Sequence, residues 1–521
     1  MKRLKMKKIH FLYIALLWMF SGCDKNFEEI NTDTTKLTQE NMQYNYLFTS
    51  AELFTPGNGD GYSAGTWESS LSYASTMMQQ LSSTSGYWYG DKYIFNDGYN
   101  SAFWRYQYST SIKSIVDLLN NLKDQPQKAN LFHIARVLKV YLFQRMTDVY
   151  GDVPYADAGQ GYAEGITSPS YTKQQDIYEA MLGELDDAAQ LLDEAAPNTV
   201  GDADLFYGGD VVKWKKFAYS EMLRLGMRMS KVNPDNAKTW VQKAVTGGVM
   251  ESNDDNAICP HEAKGTNRVS NPVGLQLDAR EPASYRLSET FVNFLKQNSD
   301  PRLAFLATVV ADPTDVEDKG DMDTAIQLGQ PNGYDHSGTA TDIENAANWP
   351  GDQNAYSTVN RNVFSREDAP TFVLTYAETE LLLAEAAERG WITDDPATHY
   401  NNGVSAAILQ LNQAGATLTD QDAADYISSH PYDPANGLQM INEQYWVATF
   451  ADWLETWSNW RRSGFPVLVP VVYQGNATGG TIPRRFTYPL DEASVNPVNY
   501  SAAVSTIPGG DNMSSRVWWD K

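Results

Sequence analysis

Aromatic, amide and carboxylate side chains are concentrated in the segment SGYWYGDKYIFNDGYN, residues 85–100. Sugar rings stack their flat CH faces on aromatic rings and pair their hydroxyl groups with amides and carboxylates. The segment therefore predicts an oligosaccharide-binding surface. Its candidate ligand-binding residues are Tyr87, Trp88 and Tyr93 for stacking, and Asn96 and Asp97 for polar contacts. The alternative is that these rings pack against the protein's own helices.

A second group of similar composition lies further along the chain, where Tyr334 occurs in NGYDHSG and is followed by Trp349 and Arg361. We predict that these three residues extend the ligand surface. Arg361 has a structural alternative, because a guanidinium also pairs with structural carboxylates.

Catalytic motifs have less support. The sequence GYSAG, residues 61–65, matches the pattern of a serine nucleophile elbow, but the preceding LFTPGNGDG consists of turn residues and not of a strand. We interpret it as a flexible loop. No second histidine follows His261-Glu262 at the spacing of a zinc protease. We therefore predict no enzyme, although a glycoside hydrolase stays open because 65 Asp and Glu residues allow many carboxylate pairs.

The segment DVEDKGDMD, residues 315–323, is dense enough in carboxylates to hold calcium. It lacks the terminal bidentate glutamate of an EF-hand loop, so a solvated acidic loop is the favoured interpretation. No cofactor is predicted, and calcium remains an alternative without a specific motif.

The chain of 521 residues is acidic, with 65 acidic against 40 basic residues. Residues 1–22 contain five Lys or Arg and no acid, so the rest of the chain has a formal charge of 35 minus 65, or −30. Such a charge repels nucleic acid and anionic lipid. We therefore expect no nucleic-acid partner, and a neutral ligand is compatible with this charge.

The N-terminus has the pattern of an export signal. Five basic residues precede a short apolar run, and Ser21-Gly22 stands before Cys23. We predict a lipoprotein signal peptide at 1–22 and a lipidated tether at 23–40, with the acyl chains on Cys23. Cys259 is then the remaining thiol, and we expect it to be a small buried hydrophobe.

Helical periodicity dominates the rest of the sequence, and we predict a single domain over 41–521. Its mostly α-helical scaffold covers about 41–250 and 366–462, with helices at 131–150, 176–195 and 372–389. An aromatic stripe from Trp446 to Trp460 predicts one further helix whose rings lie in the core, with a ligand groove as the alternative. Long irregular loops at about 82–104, 250–365 and 463–521 are expected to form the ligand face.

Several blocks of the sequence resemble the SusD/RagB family of outer-membrane nutrient-binding lipoproteins from Bacteroidetes. The blocks are NFEEINTD after the lipobox, ARVLKVYLFQRMTDVYGDVPY, SDPRLAFLA, YAETELLLAEAAERGW, WLETWSNWRRSGFP, IPRRFTYPLDEASVNPVNY and VWWD. The resemblance implies tetratricopeptide-like helix pairs with ligand loops on the opposite side. It also implies a lid on a SusC-type TonB-dependent barrel, at the cell surface and without enzymatic activity.

The sequence is thus interpreted as a lipid-anchored, outer-membrane receptor for an oligosaccharide. A peptide receptor of the same transporter type is the first rival, because aromatic loops also form side-chain pockets. A surface glycoside hydrolase is the second.

Overall fold

The computed structural model describes residues 44–57, 65–161, 163–263 and 269–521. Residues Asn45–Lys521 form one compact unit. The predicted signal peptide, the tether with Cys23, and Ser63 lie outside the described residues. No helix within the described residues is long and apolar enough to cross a membrane.

The fold is mostly α-helical, as predicted. The described α-helices are α1 Tyr44–Leu53, α2 Asp97–Ser109, α3 Ser111–Leu122, α4 Ala129–Tyr150, α5 Gln174–Leu191, α6 Val211–Arg228, α7 Pro234–Gly247, α8 Pro272–Leu275, α9 Glu289–Gln297, α10 Leu303–Leu306, α11 Tyr376–Glu388, α12 Pro396–Leu409, α13 Asp420–Ser429, α14 Gly437–Ala448, α15 Trp453–Ser463, α16 Glu492–Val495 and α17 Pro497–Ser505. Two π-helical segments, Thr66–Ser75 and Gln276–Arg280, interrupt the connecting regions.

Strands are short and pair only two at a time in the described part of the chain. They are β1 Leu81–Ser82, β2 Val153–Pro154, β3 Tyr171–Thr172, β4 Ala257–Cys259, β5 Arg286–Leu287, β6 Ala307–Thr308, β7 Thr358–Val359 and β8 Thr371–Leu374. The antiparallel pairs are β1 with β5, β2 with β3, β4 with β8 and β6 with β7. These pairs fasten distant loops to each other and to the helices.

Consecutive helices pack side by side to build the scaffold. Helices α3 to α7 form one block and α11 to α15 another, and α11 also contacts α6. In α4, sixteen of 22 residues are buried, so this helix is covered on more than one face, as its apolar sequence predicts. The predicted helix-pair scaffold is therefore confirmed.

Three predictions of helix extent are wrong. The helix expected at 176–195 spans Gln174–Leu191, and Leu192 is already extended. The helix expected at 372–389 begins at Tyr376, because residues 371–374 pair with β4 and Thr375 caps the helix by accepting a hydrogen bond from the Glu378 N–H. The single helix expected along the aromatic stripe is two helices, α14 and α15, separated by a turn in which Ala451 has a φ of 78°.

The aromatic stripe nevertheless lies in the core, as predicted. Its rings at 446, 450, 453 and 457 are buried on both sides of the turn, and Phe450 stacks on Phe291 at a centroid distance of 5.2 Å. Cys259 is also buried, and burial raises the pKa of its thiol far above the ordinary value. It is a small core residue, as expected.

A buried network of charged side chains connects the two helical blocks. Arg224 of α6 donates to Glu378 of α11 at 2.7 Å. Arg228, one turn later, donates to Glu455 of α15 at 2.5 Å and lies 3.2 Å from Asp148 of α4. Buried charges are tolerated only when paired in this way.

Glu221 is the surplus carboxylate of this network. It lies 3.3 Å from Arg224, but that guanidinium already pairs with Glu378, and Glu455 is another nearby negative charge. Burial first, and then repulsion by Glu455, raise the pKa of Glu221 to about 8 against the attraction of Arg224. We infer that Glu221 is protonated at neutral pH.

This protonation predicts a pH-dependent stability. Because the folded-state pKa of Glu221 exceeds its unfolded value of 4.5, its contribution is present below pH 4.5 and is lost as the pH rises through about 8. We expect Glu221→Gln to remove a decline on the order of 2–5 kcal/mol in the free energy of unfolding between these pH values. Urea denaturation at pH 5, 7 and 9 measures it.

The control is Glu317→Gln, which neutralises an exposed carboxylate. It is expected to keep the wild-type pH profile. A Glu221→Gln profile that is as steep as that of the wild type would contradict the assignment.

Candidate functional site

An aromatic cleft of about 390 Å³ opens beside the first of the predicted ligand loops. Five side chains line it: Trp67, Glu68, Tyr87, Tyr99 and Glu281. The Tyr87 ring stacks on Trp67 at a centroid distance of 6.0 Å and an interplanar angle of 30°. Tyr99 meets Trp67 edge-on at 5.0 Å. Trp67 is therefore the floor of this aromatic cleft, and the two tyrosines are its walls.

The floor of the aromatic cleft is positioned by the π-helix Thr66–Ser75. Gly65 precedes it with a φ of 94°, and a Cβ there would lie 2.9 Å from the Phe103 Cα, so this close approach to α2 requires glycine. Isolated π-helical turns are frequent at functional sites. The π-helix carries both Trp67 and Glu68 and packs against α2 and α15.

The wall residue Tyr99 is held by the start of α2. Asn96 caps that helix, because its side-chain oxygen accepts a hydrogen bond from the Tyr99 N–H at 3.1 Å. Asp97 accepts from the Leu490 N–H at 3.0 Å and lies 3.8 Å from Arg105. Both predicted polar residues are half-buried and have these structural contacts.

The loop that carries Tyr87 is fixed by a buried ion pair. Lys92 donates to Asp91 at 3.0 Å and to the Ser83 carbonyl at 2.6 Å. Asp91 in turn accepts from the Ser83 N–H at 3.2 Å and from the Asn332 side chain at 3.3 Å. The loop conformation therefore exists before any ligand arrives, which reduces the entropy that ordering would cost.

Hydrogen bonds hold the Tyr87 side chain against the opposite rim of the aromatic cleft. Its hydroxyl donates to Glu281 at 2.7 Å and lies 2.8 Å from the Ser284 hydroxyl. Ser284 also donates to Glu281, at 2.6 Å. With 41% of its surface exposed, Tyr87 keeps a face toward solvent while its hydroxyl is anchored.

The electrostatics of the aromatic cleft favour positive charge. Burial raises the pKa of Glu68 above its ordinary value, against hydrogen bonds from its own and the Gly65 backbone. Burial also raises the pKa of the Tyr99 hydroxyl, and the neighbouring Tyr89, Glu68 and Glu281 raise it further. The Tyr99 hydroxyl thus lies in the field of two carboxylates.

A second cleft, of about 440 Å³, involves the later predicted group. We call it the valine cleft, because Val469, Val471 and Val472 form part of its wall together with Tyr334 and Glu289. The Tyr473 hydroxyl donates a hydrogen bond to Asp335 at 2.7 Å, which links the segment 469–473 to the 332–338 loop.

Tyr334 and Trp349 of the later predicted group pack on the same part of the protein. Both pack, half-exposed, on a small core made of Ile343, Ala346 and Tyr356. The Trp349 ring lies 6.1 Å from that of Tyr356. The third member of the group, Arg361, does not join them.

Trp88, Tyr93 and Arg361 are buried, which corrects their interpretation as ligand contacts in this conformation. Trp88 is 0% exposed and stacks on Tyr285 at 6.3 Å, and Tyr93 is 1% exposed with its hydroxyl accepting from the Val471 N–H. Trp88 and Tyr93 thus pack against distant segments of the chain, which is the alternative given above for these rings. Neither ring has an exposed face for a ligand.

Arg361 organises the acidic loop instead. Its guanidinium donates to the carbonyl groups of Pro313, Asp315 and Asp318, and lies 3.7 Å from the Asp278 carboxylate. The Arg361 guanidinium therefore binds the backbone carbonyl oxygens of this loop, and such oxygens are a type of ligand that calcium would need. Within the described residues, no group of three or more His, Cys, Asp or Glu side chains could hold a metal ion.

Trp67, Glu68, Tyr99 and Glu281 were not selected from the sequence as site residues. Trp67 and Glu68 lie in TWESSLSYAS, whose composition is not that of a ligand loop. Glu281 is almost 200 residues away from Tyr87 in the sequence. Only Tyr99 had a signal, since it belongs to the aromatic segment 85–100.

The different burial of neighbouring rings predicts different costs of removal. Trp88→Ala should lower the free energy of unfolding by about 3–5 kcal/mol, because it leaves a large cavity beside Tyr285. Phe95→Ala, in the same loop but 40% exposed, is the matched control and should cost less than about 1 kcal/mol. Chemical denaturation measures both; equal losses would contradict the core assignment of Trp88.

Comparisons with known proteins identify the family of this chain. The profile of the SusD-like family described as "Starch-binding associating with outer membrane" matches residues 42–489. Among curated proteins, none matches the chain.

Solved structures are similar over nearly the whole length. One described as a chitin-binding protein is 32% identical, covers 92% of this chain and 100% of its own, and has a TM-score of 0.80. A Bacteroidetes SusD-like protein, AC2a, is 25% identical with the same coverage and a TM-score of 0.81.

A chitin-binding SusD homolog from Flavobacterium johnsoniae, 24% identical, has the same fold, with a TM-score of 0.75 over 92% of this chain and 99% of its own. By the match of the family profile over most of its length, the chain belongs to the SusD-like family.

Proposed function

We propose that this protein is a non-catalytic, cell-surface receptor that binds an oligosaccharide of the chitin type in the aromatic cleft. The observation that carries the proposal is the cleft itself, in which the anchored Tyr87 ring, Tyr99 and Trp67 surround a space of about 390 Å³ beside two carboxylates. Sugars bind by stacking on such rings and by hydrogen bonds to such oxygens.

The choice of chitin over other glycans rests on similarity. The relative that is 32% identical over the full length of its chain is described as chitin-binding, and the family is described as starch-binding. Chitin and starch fragments are therefore the two probes to compare, and we expect the chitin fragment to bind more tightly.

The cellular setting follows from the family and from the N-terminal sequence. Association with the outer membrane is part of the family description. We propose that acyl chains on Cys23 anchor the protein there, and that it closes as a lid over a SusC-type TonB-dependent barrel that imports the captured glycan.

A hydrolase is the second candidate, and one observation favours it. Glu68, whose pKa is raised by burial, and Glu281 both line the aromatic cleft, and glycosidases use a carboxyl pair of which one stays protonated. New reducing ends during incubation with a chitin hexamer would establish hydrolysis, whereas saturable binding without turnover supports the receptor.

The ligand class is tested with the native complex. Mass spectrometry of small molecules that co-purify with the protein from its membrane is expected to find amino-sugar oligosaccharides. Peptides in their place would overturn the glycan assignment in favour of a peptide receptor.

Removal of the exposed wall ring should weaken binding. We expect Tyr87→Ala to cost about 1–3 kcal/mol of affinity for the chitin hexamer, because it removes a stacking face that is central to the aromatic cleft. Isothermal titration calorimetry measures this. The control is Phe95→Ala, an exposed ring of the same loop outside the cleft lining, which should bind normally. Equal affinities of the Tyr87 variant and the wild type would reject this cleft as the binding site.

Loss of the lipid attachment point should release the protein. We expect Cys23→Ser to move from the membrane fraction to the soluble fraction, because several acyl chains supply about 0.8 kcal/mol for each buried CH₂ group. Detergent phase partitioning measures this. Cys259→Ala is the matched control, since that thiol is buried in the fold and should not affect partitioning. Retention of the Cys23 variant in the membrane fraction would disprove the anchor.

A further inference from the structure

We infer that the aromatic cleft selects an amino sugar whose nitrogen is a free, protonated amine, so that partially deacetylated chitin is preferred over fully acetylated chitin. This inference rests on the proposed function, because it specifies the sugar within the same cleft.

The composition of the aromatic cleft is that of a cation site. Its five lining side chains are three aromatic rings and two carboxylates, and none of the five is basic. Aromatic faces attract ammonium groups through their negative electron density, and cages of aromatic rings bind organic cations. Carboxylates beside the rings add charge-assisted hydrogen bonds. A free amine on a sugar ring combines this cation with the CH faces that stack.

The two carboxylates lie at different places around the rings. Glu68 follows Trp67 on the π-helix, where it accepts a hydrogen bond from the Gly65 N–H at 3.2 Å. Glu281 lies on the Tyr87 side, where it accepts from that hydroxyl at 2.7 Å. An ammonium group at the rings would therefore have two carboxylates as acceptors, and its positive charge would favour the ionised form of Glu68, whose pKa burial raises.

An acetylated nitrogen fits this arrangement less well. The acetamido group is neutral and offers the carboxylates one N–H donor, whereas an ammonium group offers a full positive charge and up to three donors, and the acetamido carbonyl oxygen needs a donor that an ionised carboxylate does not provide. The aromatic cleft can still stack such a sugar. The expected discrimination is thus a difference in affinity and not an exclusion.

The charge of the whole chain acts in the same direction. The formal net charge is −25, with 65 acidic and 40 basic residues. A negative surface potential raises the local concentration of a polycation and increases its rate of association, and this part of the effect is screened by salt.

The experiment compares two probes on the full chain in detergent. One is the hexamer of N-acetylglucosamine, and the other is the fully deacetylated glucosamine hexamer at pH 6. Calorimetry is expected to show the deacetylated hexamer binding roughly fivefold to tenfold more tightly at low salt. In the Glu68→Gln/Glu281→Gln double variant, the ratio of the two affinities should fall to near one.

The matched control is a double variant that removes the same charge elsewhere, Glu317→Gln/Glu344→Gln, at two exposed positions outside the aromatic cleft. It should keep the preference for the deacetylated hexamer, which separates the effect of the cleft from that of net charge. Loss of the preference in this control as well would assign it to net charge and overturn the inference.

Failure of this inference can be told from failure of the proposed function. If the acetylated hexamer binds as tightly as the deacetylated one, the selectivity is disproved while the receptor stands. If neither hexamer binds, the proposed function fails. If a lysine tripeptide competes as strongly as the glucosamine hexamer, the cleft recognises amines of peptides and the sugar assignment is overturned.

Discussion

The buried pairing of Arg224 and Arg228 with carboxylates from three other helices is the interaction on which the architecture depends. The two guanidinium groups leave α6 and bind Glu378 and Glu455, which belong to the second helical block. A buried charge without its partner is far costlier than a lost apolar contact, so these pairs oppose any shift of one block against the other. The network therefore fixes the register in which the two blocks meet.

One helix connects the charged network to the aromatic cleft. Helix α15 carries Glu455 in its first turn and packs against the π-helix that holds Trp67 and Glu68. The helical scaffold thus positions the floor of the aromatic cleft. Glu281 and Tyr87 lie on loops that short strands hold in place. A rigid helical body with function in its loops is a common division of labour in proteins.

Helices with strong local signals could be predicted from the sequence, whereas the burial of individual aromatic rings could not. Gly151 follows the last residue of α4 with a φ of 86°, and Pro234 is the first residue of α7, because the backbone preferences of these residue types act locally. Tyr87 and Trp88 are adjacent in the sequence, yet one is exposed and the other is covered by Tyr285, about 200 residues away. The turn at Ala451 was missed because the aromatic period continues on both sides of it toward the same core.

One set of residues fixes the loop that carries Tyr87, and another set lines the aromatic cleft. This separation has an evolutionary consequence. Lys92 and Asp91 hold the loop from inside, while Tyr87 at its tip is exposed and donates to Glu281 of a distant segment. Substitutions at the tip leave the internal ion pair intact, so under the proposed function they would change ligand recognition with little penalty in folding. If the aromatic cleft is the binding site, a few mutations at the loop tip could change the ligand while the contacts that hold the loop are conserved.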